Sequence, residues 1–278
     1  MPSPNLYVLI STIGRGIQRV PQVLLPPQDG VRYVVSWQQG KGDDGVEYPA
    51  HLKEREDVVL SVMEGKGLCR NRNNAMKVAT SWFADPMEDA VFVIADDDER
   101  LEPDGLEKVR QVYGAHPKVD VVLWQMCSIA DGQRLKDYPL TLTDYDKAPR
   151  SYYVSSVEMT FRSRNYFMGL RFDERFGLGS EKLCAGEEDV FLRDAQQLGL
   201  HIWLFPRVLC RTEATTTGSH VLEPKVLRSK GAVYAYRRSW IWTFCRSWRE
   251  AFSLAWRHHV AVIPLFRNIW SGVKYIRS

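Results

Sequence analysis

The sequence predicts a mixed α/β fold, a Rossmann-like, doubly wound and mainly parallel sheet followed by a helical C-terminal extension. Three observations predict it. Short apolar runs alternate with amphipathic or polar segments through the first half, the pattern of strands joined by crossover helices. One run, Ala90 to Ala95, is apolar at every position, as a strand covered on both faces is. Residues 221–278 carry aromatics at four-residue spacing, and they hold 11 Lys or Arg against 2 Asp or Glu. With 278 residues, 45% hydrophobic and 26% charged, the chain has the balance of a globular protein with one sizeable core.

Strands are expected at Leu6–Ser11, Tyr33–Trp37, Val58–Val62, Ala90–Ala95 and Val119–Gln125. Between the third and fourth, Leu68, Ala75, Met76, Ala79, Trp82 and Phe83 recur at helical spacing, and Arg70, Asn73, Asn74 and Lys77 take the polar face. Asp104 to Tyr113 reads as another helix, and Gly114 and Pro117 break the chain before the fifth strand. Residues 127–185 are poorer in periodic signal and rich in Tyr, Arg and Asp, which suits loops and short strands completing a pocket.

The fourth run leads directly into Asp96-Asp97-Asp98. Open α/β sheets bind ligands at the carboxyl ends of their strands, and alternation along an extended chain would send Asp96 and Asp98 to one side and Asp97 to the other. Adjacent carboxylates repel one another. A hard cation, Mn²⁺ or Mg²⁺, shared between one or two of them and the oxygens of a substrate diphosphate would relieve that repulsion. A solvated acidic turn is the other reading, since Glu99, Glu102 and Asp104 continue the acidity.

Arg70 and Arg72 fall in the first turns of the helix that begins near Leu68, where the macrodipole disfavours cations. An anion would relieve this, and a nucleotide diphosphate suits the planar, bidentate guanidinium; extension into water is the alternative. Glu187, Glu188 and Asp189 precede Val190, Phe191, Leu192, Ala195 and Leu198, whose spacing makes a further helix with acids at its start. Ordinary helix capping accounts for those acids. So does glycosyl transfer, which needs one carboxylate cluster for the metal on the leaving diphosphate and another to take the proton of the attacking hydroxyl.

In order and spacing these segments resemble the family-2 group of inverting glycosyltransferases with the GT-A fold, over approximately Leu6 to His220. Asp96-Asp97-Asp98 looks like that group's Asp-x-Asp motif, which implies that Asp98 coordinates the metal and that Asp96 or Asp97 contacts the metal or the donor ribose and sugar. Glu188-Asp189 looks like its Glu-Asp motif, implying Asp189 as general base and Glu188 as an acceptor contact or support for the base. Gly67 to Asn73 is similar to its donor-side helix start, from which Arg72, beside Arg70, would reach the nucleotide. Ser11-Thr12 occupies the place of base and ribose contacts, with Asp43 or Asp44 beyond the second strand, although Ser11 to Arg15 departs from the commoner Tyr-Asn pair. Phe172 to Gly177 resembles the stretch leading to the Glu-Asp motif, and His220 matches a late histidine that adds a metal ligand. The resemblance implies a donor that is a nucleotide diphosphate sugar, UDP favoured. It also implies a glycan or lipid-linked glycan acceptor of the bacterial surface-polysaccharide type.

Residues 1–222 are thus expected to form the catalytic domain and 223–278 a basic aromatic tail, with net charges of −6 for residues 1–220 and +9 for 221–278. In the tail Tyr236, Trp240, Phe244, Trp248, Phe252 and Trp256 make a stripe, and Arg237, Arg238, Arg246, Arg249 and Arg257 point elsewhere. Such a helix suits the interface of an anionic membrane; packing on the catalytic domain or on a second subunit of an oligomer is the other reading. Five unpaired-looking, widely spread cysteines, no long apolar run and no secretory pattern point to the cytoplasm, with peripheral attachment to the inner face of its membrane. A sugar nucleotidyltransferase would need a Gly-rich phosphate loop that Ser11 to Gly16 matches poorly. A nucleic-acid-binding protein would use the basic tail, but the acidic body disfavours it.

Overall fold

The structure, a computed structural model, describes residues 4–40, 42–43, 45–83, 88–149, 152–213 and 221–278. The chain divides into two units. Met1–Lys66, Arg70–Arg171 and Leu192–Ala214 form one, and Gly67–Cys69, Phe172–Phe191 and Thr215–Ser278 form the other.

The first unit is built on one nine-stranded sheet. Its strands are β1 Leu6–Ile13, β2 Val31–Gln39, β3 Val58–Glu64, β4 Val91–Asp96, β5 Arg100–Leu101, β6 Val121–Ser128, β7 Thr143–Asp144, β8 Met159–Arg162 and β9 Ile202–Thr212. They run in the order β3-β2-β1-β4-β8-β6-β9-β5, with β7 on β9. The long pairings, β1 with β2 and β4, β2 with β3 and β6 with β9, are parallel. From β1 the chain winds outward to β3, with α1 Ala50–Lys53 between β2 and β3, and then returns through α2 Leu68–Thr80 to place β4 on the other side of β1. Every residue from Val91 to Ala95 is fully buried, as an apolar central strand requires.

All five expected strands form, with most of their ends moved by one to three residues. The uninformative stretch 127–185 supplies β8, which lies antiparallel between β4 and β6. Buried Arg162 holds it there, donating to the carbonyls of Val119, Tyr113 and His116 and to Asp89 Oδ2 at 2.6–3.2 Å. The last strand, β9, carries Pro206 in its interior. Pairing with β6 follows Leu123–Leu204, shifts register around Pro206, which has no N–H to offer, and resumes at Gln125–Val208. The remaining helices here are α3 Gly105–Ala115, close to the expected helix, and the single turn α4 Arg164–Phe167; α5 Glu187–Gln197 follows β8 in the chain.

In the second unit the C-terminal residues fold into three helices, α6 Pro224–Ala235, α7 Trp240–His258 and α8 Val262–Arg277. The Ser239 side chain accepts from Trp242 N at the start of α7, and left-handed His259 ends it. Helices α6 and α8 cross with their backbones in contact: a Cβ on Gly231 would lie 1.8 Å from the Ile269 carbonyl oxygen, and one on Gly272 1.8 Å from that of Arg228. No side chain fits there. Gly231→Leu is therefore expected to separate the helices and cost at least ~1–3 kcal/mol, seen as a lower thermal midpoint, whereas Ser271→Ala one residue before Gly272 should shift it far less.

The aromatic stripe is not the buried side of α7. That side consists of Thr243, Ser247, Glu250, Ala251 and Leu254, which face a core of Leu227, Leu265 and Ile269. Tyr236 leaves the stripe altogether, buried beyond the end of α6 with its ring edge-on to Phe176. No helix among the described residues is long and apolar enough to cross a membrane.

Candidate active site

Strands β1 and β4 are neighbours whose crossovers leave in opposite directions, so their carboxyl ends flank the crevice where open α/β sheets receive ligands. Ser11 pairs across this point with Asp96. Immediately beyond it, Thr12 Oγ1 donates to Asp97 Oδ2 at 2.5 Å. Arg19, just after a 3-10 helix at Gly14–Gln18, donates to Asp97 Oδ1 through Nε at 3.1 Å and also through Nη2. Asp97 is consequently buried and neutralised, and the ion pair raises Arg19 above its ordinary pKa. A Cβ on Gly16 would stand 2.1 Å from Asp97 Oδ2 and 2.7 Å from Thr12 Oγ1, so this loop closes over the pair only with glycine there. Asn71 Nδ2 donates to the Thr12 carbonyl at 3.0 Å and so ties α2 to the end of β1.

Asp96 is met from the other direction. Arg72 Nη2, on α2 and 1% exposed, lies 3.1 Å from each Asp96 oxygen and 2.5 Å from Ser156 Oγ. The anion facing the cation at this helix start is thus supplied by the chain itself, and Arg72 braces Asp96 instead of extending into solvent. Arg70, two residues earlier, is exposed. The expected alternation of the three acids does not occur, because β4 ends at Asp96 and the next two residues turn. Asp98 is left exposed, with no ion pair among the described residues. Partial loss of hydration, then the Asp96 and Asp97 carboxylates, raises its pKa, and Arg19 opposes them.

Ser156 is fixed by a buried cluster that sequence reasoning missed. Glu158, fully buried, accepts from Lys136 Nζ at 2.9 Å, from Tyr138 OH, from Tyr152 OH at 3.4 Å and from the Ser155 backbone at 3.1 Å. Burial raises the Glu158 pKa and Lys136 opposes that most strongly. The Ser155-x-x-Glu158 spacing of a capping box was the available signal; Arg19 has none, since its partner is 78 residues away. A broad cavity of about 920 Å³ is lined by Cys127, Arg134, Lys136, Tyr138, Leu140 and Val208, and none of the three acids contributes to it.

Glu99, counted in the sequence as part of a solvated acidic turn, is instead buried. It is 1% exposed, and neither carboxylate oxygen has a hydrogen-bond partner among the described residues. Burial first, then Asp96 and Asp98, holds its pKa well above the ordinary value. A carboxyl with a raised folded pKa binds its proton more tightly folded than unfolded, so its contribution is full below the unfolded value and is lost as pH rises through the folded one. Glu99→Gln should therefore flatten the fall in stability above the ordinary glutamate range. Denaturant midpoints of the two proteins at acid and alkaline pH check this, and parallel curves would sink it.

In the second unit, Glu187, Glu188 and Asp189 occupy the first turn of α5. Glu187 is buried, Glu188 half-buried and Asp189 exposed, and acids at a helix start are stabilised by the macrodipole. His220 and Asp44 lie outside the described residues, while Asp43 accepts from the Gly40 backbone at 2.7 Å. Among the described residues no group of three or more His, Cys, Asp or Glu is arranged to hold a metal by itself. The residues nonetheless fit a Mg²⁺ or Mn²⁺ ion of the substrate-bridged kind: Asp98 offers an open carboxylate beside two that are already neutralised, and such ions take few protein ligands plus diphosphate oxygens.

The fold is similar to that of S. aureus TarS. The crystal structure of TarS residues 1–349 matches with a TM-score of 0.58 and 13% identity, over 86% of this chain and 68% of that one. The same fragment in complex with UDP-GlcNAc matches at 0.55 and 16%, over 86% and 69%. TarS itself matches at 0.53 and 15%, over 90% of this chain and 43% of TarS. At such identities the likeness shows the fold, the GT-A-type arrangement expected above. No family model matches the chain, and no curated protein sequence matches it.

Proposed function

We propose that this protein is a glycosyltransferase of the family-2, inverting kind, moving a sugar from a UDP-sugar to a hydroxyl of a glycan or lipid-linked glycan. The observation that carries the reading is the division of charge at the end of β4. Asp96 and Asp97 are neutralised by Arg72 and by Thr12 with Arg19, while Asp98 stays open at the switch point. Similarity to TarS, whose structure holds UDP-GlcNAc, supports a nucleotide-sugar donor.

In this reading residues 1–222 form the catalytic domain, 223–278 a tail, and the enzyme works in the cytoplasm, on the inner face of the membrane. Asp98 would hold Mn²⁺ or Mg²⁺, with His220 carried over from the family resemblance as a further ligand, and the ion would supply positive charge to stabilise the leaving diphosphate. Thr12 and Asp97 contact the ribose, and Arg70 receives phosphate from its exposed position. Arg72 keeps Asp96 fixed at the sugar. Asp189 takes the proton from the acceptor hydroxyl as its oxygen bonds to the anomeric carbon and the carbon–oxygen bond to the diphosphate breaks, and Glu188 supports that base. The backside approach inverts the anomeric centre.

The test is nucleoside diphosphate release from a panel of nucleotide sugars with Mn²⁺ or Mg²⁺, using both soluble glycans and lipid-linked acceptors. Turnover of one UDP-sugar that stops on chelation is the expected result. Pyrophosphate release from a nucleoside triphosphate in its place would show a nucleotidyltransferase.

A further inference from the structure

The side of α7 turned away from its core carries a continuous apolar surface. Trp240, Phe244, Phe252 and Trp256 are 56%, 47%, 58% and 84% exposed, and Ile241 beside them is 80% exposed. Helix α8 extends it: the Phe266 ring stacks on Trp248 at 4.0 Å and on Trp270 at 5.5 Å, and Phe244 meets Trp270 edge-on at 5.7 Å. Stacking across the two helices makes the rings a rigid platform, and an ordinary soluble surface does not gather so many large apolar groups in one place.

Charge decides what covers this platform. Arg249 on α7 and Arg267 and Lys274 on α8 are exposed, with no ion pair among the described residues. The only acids in residues 221–278 are Glu223 and Glu250, and Glu250 is buried between Lys230 and Arg246 at 2.8 and 3.3 Å. The surface is therefore aromatic with a basic border and no exposed carboxylate on α7 or α8. A second copy of the same face would bring like charges together, whereas an anionic bilayer offers phosphates to the border and an interfacial zone suited to tryptophan.

We propose that the α7–α8 face is a docking surface for an anionic lipid bilayer, with Phe252, Trp256 and Ile241 entering the headgroup boundary and Arg249, Arg267 and Lys274 pairing with lipid phosphates. This stands apart from the donor chemistry, since it needs neither nucleotide nor acceptor.

The full chain is sedimented with vesicles of phosphatidylcholine alone and of phosphatidylcholine with phosphatidylglycerol, while tryptophan emission is recorded. Binding to the anionic vesicles only, with a blue shift, is expected. Arg249→Glu with Arg267→Glu should weaken it by roughly fivefold per charge removed or more; Phe252→Ser with Trp256→Ser should abolish the blue shift while far-UV circular dichroism stays unchanged. Equal binding to neutral vesicles overturns the proposal, as does failure of the folded chain to bind either kind. Self-association abolished by Phe252→Ser with Trp256→Ser, without vesicle binding, would assign the face to a second copy and overturn it equally.

Discussion

Asp98→Ala is expected to lower nucleoside diphosphate release by roughly a thousandfold or more, the effect of losing several kcal/mol of charge stabilisation in the transition state. The size follows from the local electrostatics. Asp96 and Asp97 already have cationic partners, so neither can replace the open carboxylate of Asp98. Because Asp98 is exposed and forms no ion pair among the described residues, its removal should leave the thermal midpoint nearly unchanged. Asp189→Asn, at an exposed position in the first turn of α5, should cost about 10²–10⁴-fold through loss of the base, again without loss of fold. Asp104→Asn is the control: that acid pairs at the surface with Lys108, and turnover should not change. Full turnover in both Asp98→Ala and Asp189→Asn would refute the assignment of the two acidic clusters.

Lys136→Met should be the most damaging substitution for stability. It strands the Glu158 carboxyl in a site where that residue is fully buried, and breaking a buried pair from one side costs about 3–5 kcal/mol. For a chain of this size that is a fall in midpoint of roughly 6–20 °C. Adding Glu158→Gln should recover part of the loss, because a neutral amide keeps contacts with Tyr138 and Tyr152 without an unpaired charge. Under the proposed function the consequence reaches the donor side. Glu158 lies two residues from Ser156, whose hydroxyl accepts from Arg72, and Arg72 holds Asp96. Donor turnover by the folded fraction of Lys136→Met should therefore also fall, and an unchanged rate per folded molecule would show that the cluster is structural only.

Much of this protein is set by residues close together in the chain. The five expected strands, the helix of Leu68–Thr80 and the acids heading Glu187–Gln197 follow from periodicity and from capping, which act over a few residues. The run from Ala90 into three acids likewise announces a buried strand ending at a polar edge. Tertiary structure decided what those acids touch. Thr12 and Arg19 reach Asp97 across 85 and 78 residues, and Arg72 reaches Ser156 across 84, so each partnership exists only once β1, β4 and the segment before β8 are side by side. The antiparallel placement of β8 has the same origin, since its hydrogen bonds are made to strands distant in sequence. Helix α7 shows the limit of pattern most clearly. Its aromatic spacing marks a stripe, and apolarity alone would send that stripe inward. Two glycines, Gly231 and Gly272, let α6 and α8 touch, and in the resulting core α7 buries Thr243, Ser247 and Ala251 while the rings remain outside. Periodicity defines the faces of a helix; the space left by its neighbours selects the one that is buried.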